Sequence, residues 1–113
     1  MATISTHVLD VSLGRPAASV GVRLQRRDGT AWTDVSRAAT NDDGRVAALM
    51  PADAPAAAGA FRLTFDVGAY FKTRGVESFY DVITIDFIVR DPASHYHVPL
   101  LVSPFGYTTY RGS

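Results

Sequence analysis

The stretch DVITIDFIVRD, residues 81–91, decides the fold class of this 113-residue chain. Its apolar residues recur at every second position, so that Ile83, Ile85, Phe87 and Val89 share one face. Successive side chains of a strand point to opposite faces of a sheet, and this alternation predicts a half-buried β-strand.

Shorter runs of the same kind fill most of the remaining chain. In order they are ATISTHVLDVS, SVGVRLQRR, AWTDVSRAAT, AFRLTFDVGAYF, HYHVPLLVSP and YTTYR. Residues 50–59 (MPADAPAAAG) predict a loop with one short strand before it, and GAYFKTRG has room for a single helical turn. Strands that recur about every ten residues, with almost no helix, predict an antiparallel β-sandwich. We expect a single domain over residues 1–113.

Composition removes several classes of function. The formal net charge is zero and the basic residues are dispersed, which argues against binding to nucleic acid or an anionic membrane. No cysteine is present, so disulfides, thiolate zinc sites and cysteine nucleophiles are excluded. The N-terminal segment lacks the features of a secretion signal, and no apolar run is long enough to span a bilayer. These features predict a cytoplasmic protein.

Two of the three histidines lie in HYHVPLL, residues 95–101. In a strand, His95 and His97 point to the same face about 7 Å apart. Three interpretations remain open from spacing alone: ordinary hydrogen-bonded histidines, metal ligands and catalytic bases. A metal needs three or four ligands, and His7 is the only further histidine.

The same stretch separates two faces of a strand. Its apolar face, which we expect in the core, carries Tyr96, Val98, Leu100 and Val102. His95, His97, Pro99 and Leu101 then point outward. An outward face that carries proline and leucine beside histidines is typical of a cleft or of a surface covered by another subunit.

Five ordered motifs narrow these interpretations. They are STHVLD at 5–10, GRPA at 14–17, DGR at 43–45, HYHVPLL, and SPFGYTTYRGS at 103–113. Together they closely resemble the transthyretin-related 5-hydroxyisourate hydrolases of purine breakdown, over the whole chain. The tail YRGS is the most specific motif, because it distinguishes these hydrolases from hormone-carrying transthyretins. Phe105, where tyrosine is often found in the family, is a minor departure.

The resemblance implies a transthyretin-like sandwich of two four-stranded sheets with one short helix. It also implies a homotetramer, built as a dimer of dimers, whose active sites lie in a channel where two dimers meet. The implied reaction needs no metal and no cofactor. Water adds to a lactam carbonyl of 5-hydroxyisourate, and the six-membered ring opens to 2-oxo-4-hydroxy-4-carboxy-5-ureidoimidazoline.

The resemblance also assigns roles to individual residues. Acyl chemistry of this kind needs an activated water, a stabilised oxyanion and a proton for the leaving nitrogen. Either histidine of the implied pair can be the base, and Ser113 can act through its hydroxyl or its terminal carboxylate. The implied catalytic residues are His7, Arg45, His97 and Ser113; His7, Arg45 and Tyr110 bind substrate; His95 and Arg111 support the site.

Two other classes of function remain as alternatives. One is a carrier tetramer that binds a small apolar or aromatic ligand in its central channel without catalysis. The other is a structural sandwich domain used in adhesion. A carrier of apolar ligands would gain nothing from two histidines and an arginine, because unpaired polar groups in a pocket cost affinity.

Overall fold

The computed structural model describes residues 2–51, 53 and 57–113, which form nine strands and one helix. The elements in chain order are β1 (Thr3–Asp10), β2 (Arg15–Pro16), β3 (Gly21–Asp28), β4 (Ala31–Ala39), β5 (Arg45–Val46), β6 (Gly59–Phe65), α1 (Val67–Thr73), β7 (Ile83–Val89), β8 (His95–Ser103) and β9 (Gly106–Thr109). The loop predicted over 50–59 includes residues 52 and 54–56, which lie outside the described residues.

The strands form two sheets, and the predicted β-sandwich is confirmed. The first sheet has the order β2-β1-β8-β9, with β5 also paired to β1, and the second has the order β4-β3-β6-β7. The short strands β2 and β5 pair with different residues of β1, so they lie end to end along the same edge of it. The first sheet is therefore four strands wide, like the second.

One strand pair departs from the antiparallel arrangement that we expected. Strands β1 and β8 run parallel, with Thr3 opposite His95, Ser5 opposite His97 and His7 opposite Pro99. Residues that are Cα partners in neighbouring strands point to the same face of the sheet. This register therefore assembles polar side chains from both strands on the outer face of the first sheet.

The core lies between the two sheets, and alternate residues of β1, β3, β6, β7 and β8 point into it. The stretch that predicted the fold class behaves as expected, because Ile83 and Val89 of β7 are buried whereas Ile88 is 51% exposed. The rings of Phe61 and Phe87 stack across the β6–β7 pair at a centroid distance of 6.1 Å. The largest fully buried side chains are Phe61, Phe65, Phe71, Ile4, Leu24, Leu49, Leu63, Ile83 and Leu100.

Helix α1 coincides closely with the predicted helical turn, and a buried polar contact joins it to β1. The Tyr70 hydroxyl donates to Asp10 Oδ2 at 2.8 Å, and Ser12 donates to Asp10 Oδ1. Burial alone would raise the pKa of Asp10, but the hydrogen bonds from Ser12 and Tyr70 outweigh it and lower that pKa. Burial together with Asp10 raises the pKa of Tyr70 to about 12. None of the helical structure in the described residues has the length and hydropathy of a membrane span.

Candidate active site

Strand β8 presents its two histidines on the outer face of the first sheet. Tyr96, Val98, Leu100 and Val102 are buried in the core, as the alternation predicted. The imidazole rings of His95 and His97 lie nearly parallel, with centroids 6.4 Å apart and an interplanar angle of 16°. This separation agrees with the spacing expected for positions i and i+2 of a strand.

Pro99 differs in one respect from the outward face that we expected. It alternates with the core residues and faces outward, yet it is buried within the single chain. The C-terminal tail covers it, since a Cβ built on Gly112 would lie 3.2 Å from Pro99 Cγ. A second subunit is therefore not needed to explain an apolar residue at this position.

The turn before β5 brings Arg45 beside His7. These two residues are Cα partners in the β1–β5 pair. The Asn41 side chain accepts hydrogen bonds from the backbone N–H groups of Asp43 and Arg45, at 2.9 and 3.0 Å. Gly44 takes a φ of 74°, and a Cβ there would collide with the carbonyl oxygen of Val8. Only glycine fits this close approach, so the DGR motif fixes the position at which Arg45 leaves the turn.

The C-terminal tail continues from β9 along the edge of β8. The Gly112 N–H donates to the His97 carbonyl at 2.8 Å. The Arg111 guanidinium lies 4.4 Å from the centroid of the Tyr96 ring and donates to the His95 carbonyl. The tail is therefore attached to the backbone of both histidines, and the exposed Ser113 follows directly.

Tyr110 has a different environment from the histidines. It is 56% exposed and, with Arg111, it lines a groove of about 370 Å³ between β7 and the tail. Ile85 and Ile88 of β7 form the opposite wall of this groove. The structure thus gathers His7, Arg45, His95 and His97 on one sheet face, whereas Tyr110 borders the groove at the edge of the sandwich.

Ser5 is a site residue that sequence reasoning did not single out. Its buried hydroxyl lies 2.8 Å from Nδ1 of His97 and 2.9 Å from Nε2 of His95. The available signal was that Thr3, Ser5 and His7 alternate along one strand and share its face. The missing information was the register between β1 and β8, which the sequence does not contain.

The environment of His97 favours its neutral form. Burial lowers the pKa of this imidazole, and the positive charges of Arg45, His95 and His7 lower it further. With Nδ1 bound to Ser5, Nε2 has no hydrogen-bond partner within the described part of the chain. His97 therefore offers a neutral imidazole, held at one nitrogen and open at the other, which suits proton transfer with a bound molecule.

Metal ligation gains no support from the geometry of these side chains. Within residues 2–51, 53 and 57–113, no group of three or more histidine, aspartate or glutamate side chains is arranged to hold a metal ion. Over the same residues, none of the ion pairs joins a carboxylate to Arg45 or to a histidine. Within the described part of the chain, Arg45 and the three histidines thus have no carboxylate in an ion pair with them.

Comparison with known proteins places the chain in a family. The model of the HIUase/Transthyretin family matches residues 4–112. A curated 5-hydroxyisourate hydrolase of Caulobacter vibrioides is 47% identical, with all of both chains covered. A solved 5-hydroxyisourate hydrolase of Klebsiella pneumoniae is 43% identical with a TM-score of 0.86, covering 98% of this chain and 99% of the other.

Transthyretin itself shares the fold at lower identity. Sea bream transthyretin in complex with thyroxine has a TM-score of 0.89 at 30% identity, over 96% of this chain and 93% of the other. These structures confirm the transthyretin-like form of the sandwich. The chain therefore belongs to the HIUase/Transthyretin family, and its similarity to 5-hydroxyisourate hydrolases over the full chain identifies it as an enzyme.

Proposed function

We propose that this protein hydrolyses 5-hydroxyisourate to 2-oxo-4-hydroxy-4-carboxy-5-ureidoimidazoline, and that His97 activates the attacking water. The observation that carries the proposal is the environment of His97: its Nδ1 lies 2.8 Å from Ser5 Oγ, and burial together with Arg45 lowers its pKa. The relatives named as 5-hydroxyisourate hydrolases supply the substrate.

The first step is attack of water on a lactam carbonyl. Nε2 of His97 takes a proton from the water as its oxygen forms a bond to the carbonyl carbon. A base with a pKa near or below neutrality remains deprotonated at physiological pH, and the lowered pKa of His97 meets this condition. A serine or cysteine nucleophile is not needed for this reaction.

The second step is collapse of the tetrahedral intermediate. Arg45 carries a fixed charge and a planar set of donors, which suit the oxyanion that develops on the carbonyl. The carbon–nitrogen bond then breaks, and the histidine that took a proton from the water gives a proton to the leaving nitrogen. We assign His7 to binding the substrate and sharing this proton transfer, since it is the Cα partner of Arg45.

The tail residues complete the proposed site. Ser113 follows Gly112, whose backbone N–H donates to the His97 carbonyl, so we assign its hydroxyl to orienting a histidine or the substrate. Tyr110 is assigned to substrate binding and Arg111 to holding the tail, through its contacts with Tyr96 and His95. These roles rest on the resemblance together with the attachment of the tail to β8.

We also propose that the chain assembles as a homotetramer, a dimer of dimers. Strands β7 and β9 are both edge strands, and Val82, Ile88 and Tyr107 near them are exposed apolar side chains. Unprotected edges favour pairing with another chain. Pairing of these edges between subunits would cover the exposed apolar surface, and light scattering on the purified protein measures the assembly directly.

A spectrophotometric assay tests the reaction. Urate oxidase generates 5-hydroxyisourate in the cuvette, and the decay of its absorbance is followed with and without this protein. We expect fast decay that a chelator does not change and that His97→Ala reduces by roughly 100-fold or more, the size of a lost general base. Decay no faster than the spontaneous background, from a folded protein, would reject the hydrolase and favour the carrier alternative.

A further inference from the structure

A continuous row of hydroxyl and imidazole groups crosses from β1 to β8 and back. Thr3 Oγ1 lies 2.5 Å from His95 Nδ1, His95 Nε2 lies 2.9 Å from Ser5 Oγ, and Ser5 Oγ lies 2.8 Å from His97 Nδ1. The parallel register produces this row, because Thr3 and Ser5 alternate with the two histidines on the same sheet face. One end is the half-buried His97 and the other is the exposed Thr3.

The chemistry of a hydroxyl links the two rings. Ser5 carries a single proton, so it can donate to one imidazole while it accepts from the other. A neutral imidazole likewise has one donor and one acceptor nitrogen. The hydrogen bonds of the row can therefore all be donated from His97 toward Thr3 or all from Thr3 toward His97, and we call these two arrangements the first and the second polarity. A change of tautomer at one ring requires a change of tautomer at the other.

We propose that Ser5 is a positioning residue that joins His95 and His97 into a proton relay between the reacting nitrogen of His97 and solvent at Thr3. This inference rests on the proposed hydrolase function, and it gives His95 a larger part than the supporting role that the family resemblance implies. The chemical change along the row is a concerted exchange of tautomers, with no charge stored on either ring.

In the first polarity, three hydrogen bonds run from His97 toward Thr3. His97 Nδ1–H donates to Ser5, the Ser5 hydroxyl donates to His95 Nε2, and His95 Nδ1–H donates to Thr3 Oγ1. When His97 Nε2 takes a proton from the attacking water, each bridging proton moves one place along the row. Thr3 receives the proton from His95 Nδ1 and releases its original hydroxyl proton to bulk water. The Thr3 hydroxyl then donates to His95 Nδ1.

The second polarity restores the first when the ring of the substrate opens. His97 Nε2–H gives its proton to the leaving nitrogen, and the bridging protons move back one place as Thr3 takes a proton from bulk water. One proton leaves the row and one enters it in each turnover. His97 thus alternates between two neutral tautomers and does not need to become an imidazolium.

The charges around His97 explain why a neutral path is useful. Arg45 on β5, His7 on β1 and His95 on β8 all disfavour a positive charge on this ring, and burial acts in the same direction. Arg111 of the tail adds a further cation next to the His95 backbone. Among the ion pairs of the described residues, none gives an imidazolium at His97 a carboxylate partner.

Three variants isolate the bridge. Ser5→Ala removes it, and Ser5→Thr keeps a hydroxyl at the same position of the strand. The matched control is Thr6→Val, because the buried Thr6 hydroxyl also bonds from β1 to β8, at 2.6 Å from the Val98 carbonyl, without touching a histidine. This control separates loss of a cross-strand hydrogen bond from loss of the relay.

The kinetic readout is kcat against KM. We expect Ser5→Ala to lower kcat on the order of 10- to 100-fold with little change in KM, a part of what positioned acid–base catalysis supplies. Ser5→Thr restores most of the turnover, and Thr6→Val retains it. The inference is overturned if Ser5→Ala keeps full turnover, or if Thr6→Val loses as much as Ser5→Ala.

The second readout needs no substrate. With only three histidines in the chain, ¹⁵N-histidine NMR resolves every ring nitrogen, and His7→Gln and His95→Gln assign the signals. We expect the His97 signals to respond to protonation of His95 in the unmodified protein and in Ser5→Thr, and to respond less in Ser5→Ala, where only the through-space effect of the His95 charge remains. Independent titration of the two rings in the unmodified protein would overturn the relay, whereas absence of hydrolysis with linked titration would reject only the proposed function.

Discussion

The charged groups on the outer faces of the two sheets have different partners. Those of the second sheet form ion pairs, whereas His95 and His97 of the first sheet are bound to hydroxyl groups. On the second sheet, Arg62 pairs with Asp86 at 2.7 Å and lies over the Trp32 ring at 4.1 Å. Arg23 pairs with Asp34 on the same face at 2.6 Å. On the first sheet, imidazole rings are held by hydroxyl groups, and the described residues place no carboxylate beside them in an ion pair.

This difference indicates that the outer face of the first sheet, and not that of the second, has polar groups available to bind a ligand. Paired, solvent-exposed charges are satisfied and contribute little to stability. A group of donors without negative partners is instead suited to a molecule that brings its own acceptors, such as a carbonyl that becomes an oxyanion.

Gly112→Ala is expected to damage the first face most. Its Cβ would lie 2.6 Å from Cδ2 of His97, so either the ring or the tail must move. A displacement of about 1 Å in a catalytic group can cost on the order of 100-fold in rate. We therefore expect a loss of kcat of about that size, measured in the 5-hydroxyisourate assay, with the melting temperature almost unchanged.

Gly106→Ala is the matched control for this substitution. Gly106 begins β9, in the same terminal region, but a Cβ there meets only Ser103 Oγ at 3.8 Å, an ordinary contact. Turnover within about a factor of two of the unmodified protein is expected, since no catalytic group moves. Equal losses in the two variants would mean that the tail, and not its contact with His97, is sensitive to any added methyl group.

Alternation along single strands made much of the fold predictable. Strand β7 was identified from every second residue being apolar, and the burial of Ile83 and Val89 confirms the assignment. The two faces of β8 followed from the same rule. The parallel pairing of β1 with β8 was not predictable, because it joins segments more than 80 residues apart and depends on the packing of the whole sandwich.

The same limit applies to the candidate site. The resemblance named His7, Arg45 and His97, which the structure brings to one face. Ser5 was missed because it matters only through its position opposite His97. Gly112 was included in the YRGS motif, but its close approach to the His97 ring was not predicted. Contacts across strands, and contacts that depend on empty space, cannot be derived from spacing along the chain.

Asp10→Asn is expected to affect stability and leave the chemistry of the first face unchanged. Asp10 is buried and accepts hydrogen bonds from Tyr70 and Ser12, and losing a hydrogen bond to a charged group costs about 2 kcal/mol. The pKa of Asp10 is lowered in the fold, so the stabilisation is present above the ordinary value of 3.8 and is lost as the pH falls through the folded value. Urea denaturation measures the difference in free energy of unfolding between Asp10→Asn and the unmodified protein. We expect this difference to be present at pH 7 and to disappear in acid.

Asp34→Asn provides the comparison on the second face, where the carboxylate is exposed. Its effect on the free energy of unfolding should be clearly smaller than that of Asp10→Asn, because solvent screens an exposed pair. If the two substitutions cost the same, the Asp10 hydrogen bonds would not connect helix α1 to β1 in the way described.

Arg45→Met is expected to raise the pKa of His97 toward its ordinary value of 6.5. Burial is the larger cause of the lowered pKa and remains, so the rise should be partial. The pH range over which His97 is protonated then extends upward, which ¹⁵N NMR titration detects independently of activity. Arg23→Met on the second sheet should leave the His97 titration unchanged, and an equal rise in that variant would mean that net charge, not the neighbouring guanidinium, sets the pKa.

Arg62→Gln should have the smallest effect of the series. It removes the ion pair with Asp86 and the contact with Trp32, both on the exposed face of the second sheet. Turnover should stay within about a factor of two, because no reacting group loses a partner. The small decrease in melting temperature should vanish at high salt, where exposed pairs are already screened in the unmodified protein. A large loss of turnover would show that the second face also takes part in function, and the contrast between the two faces would then fail.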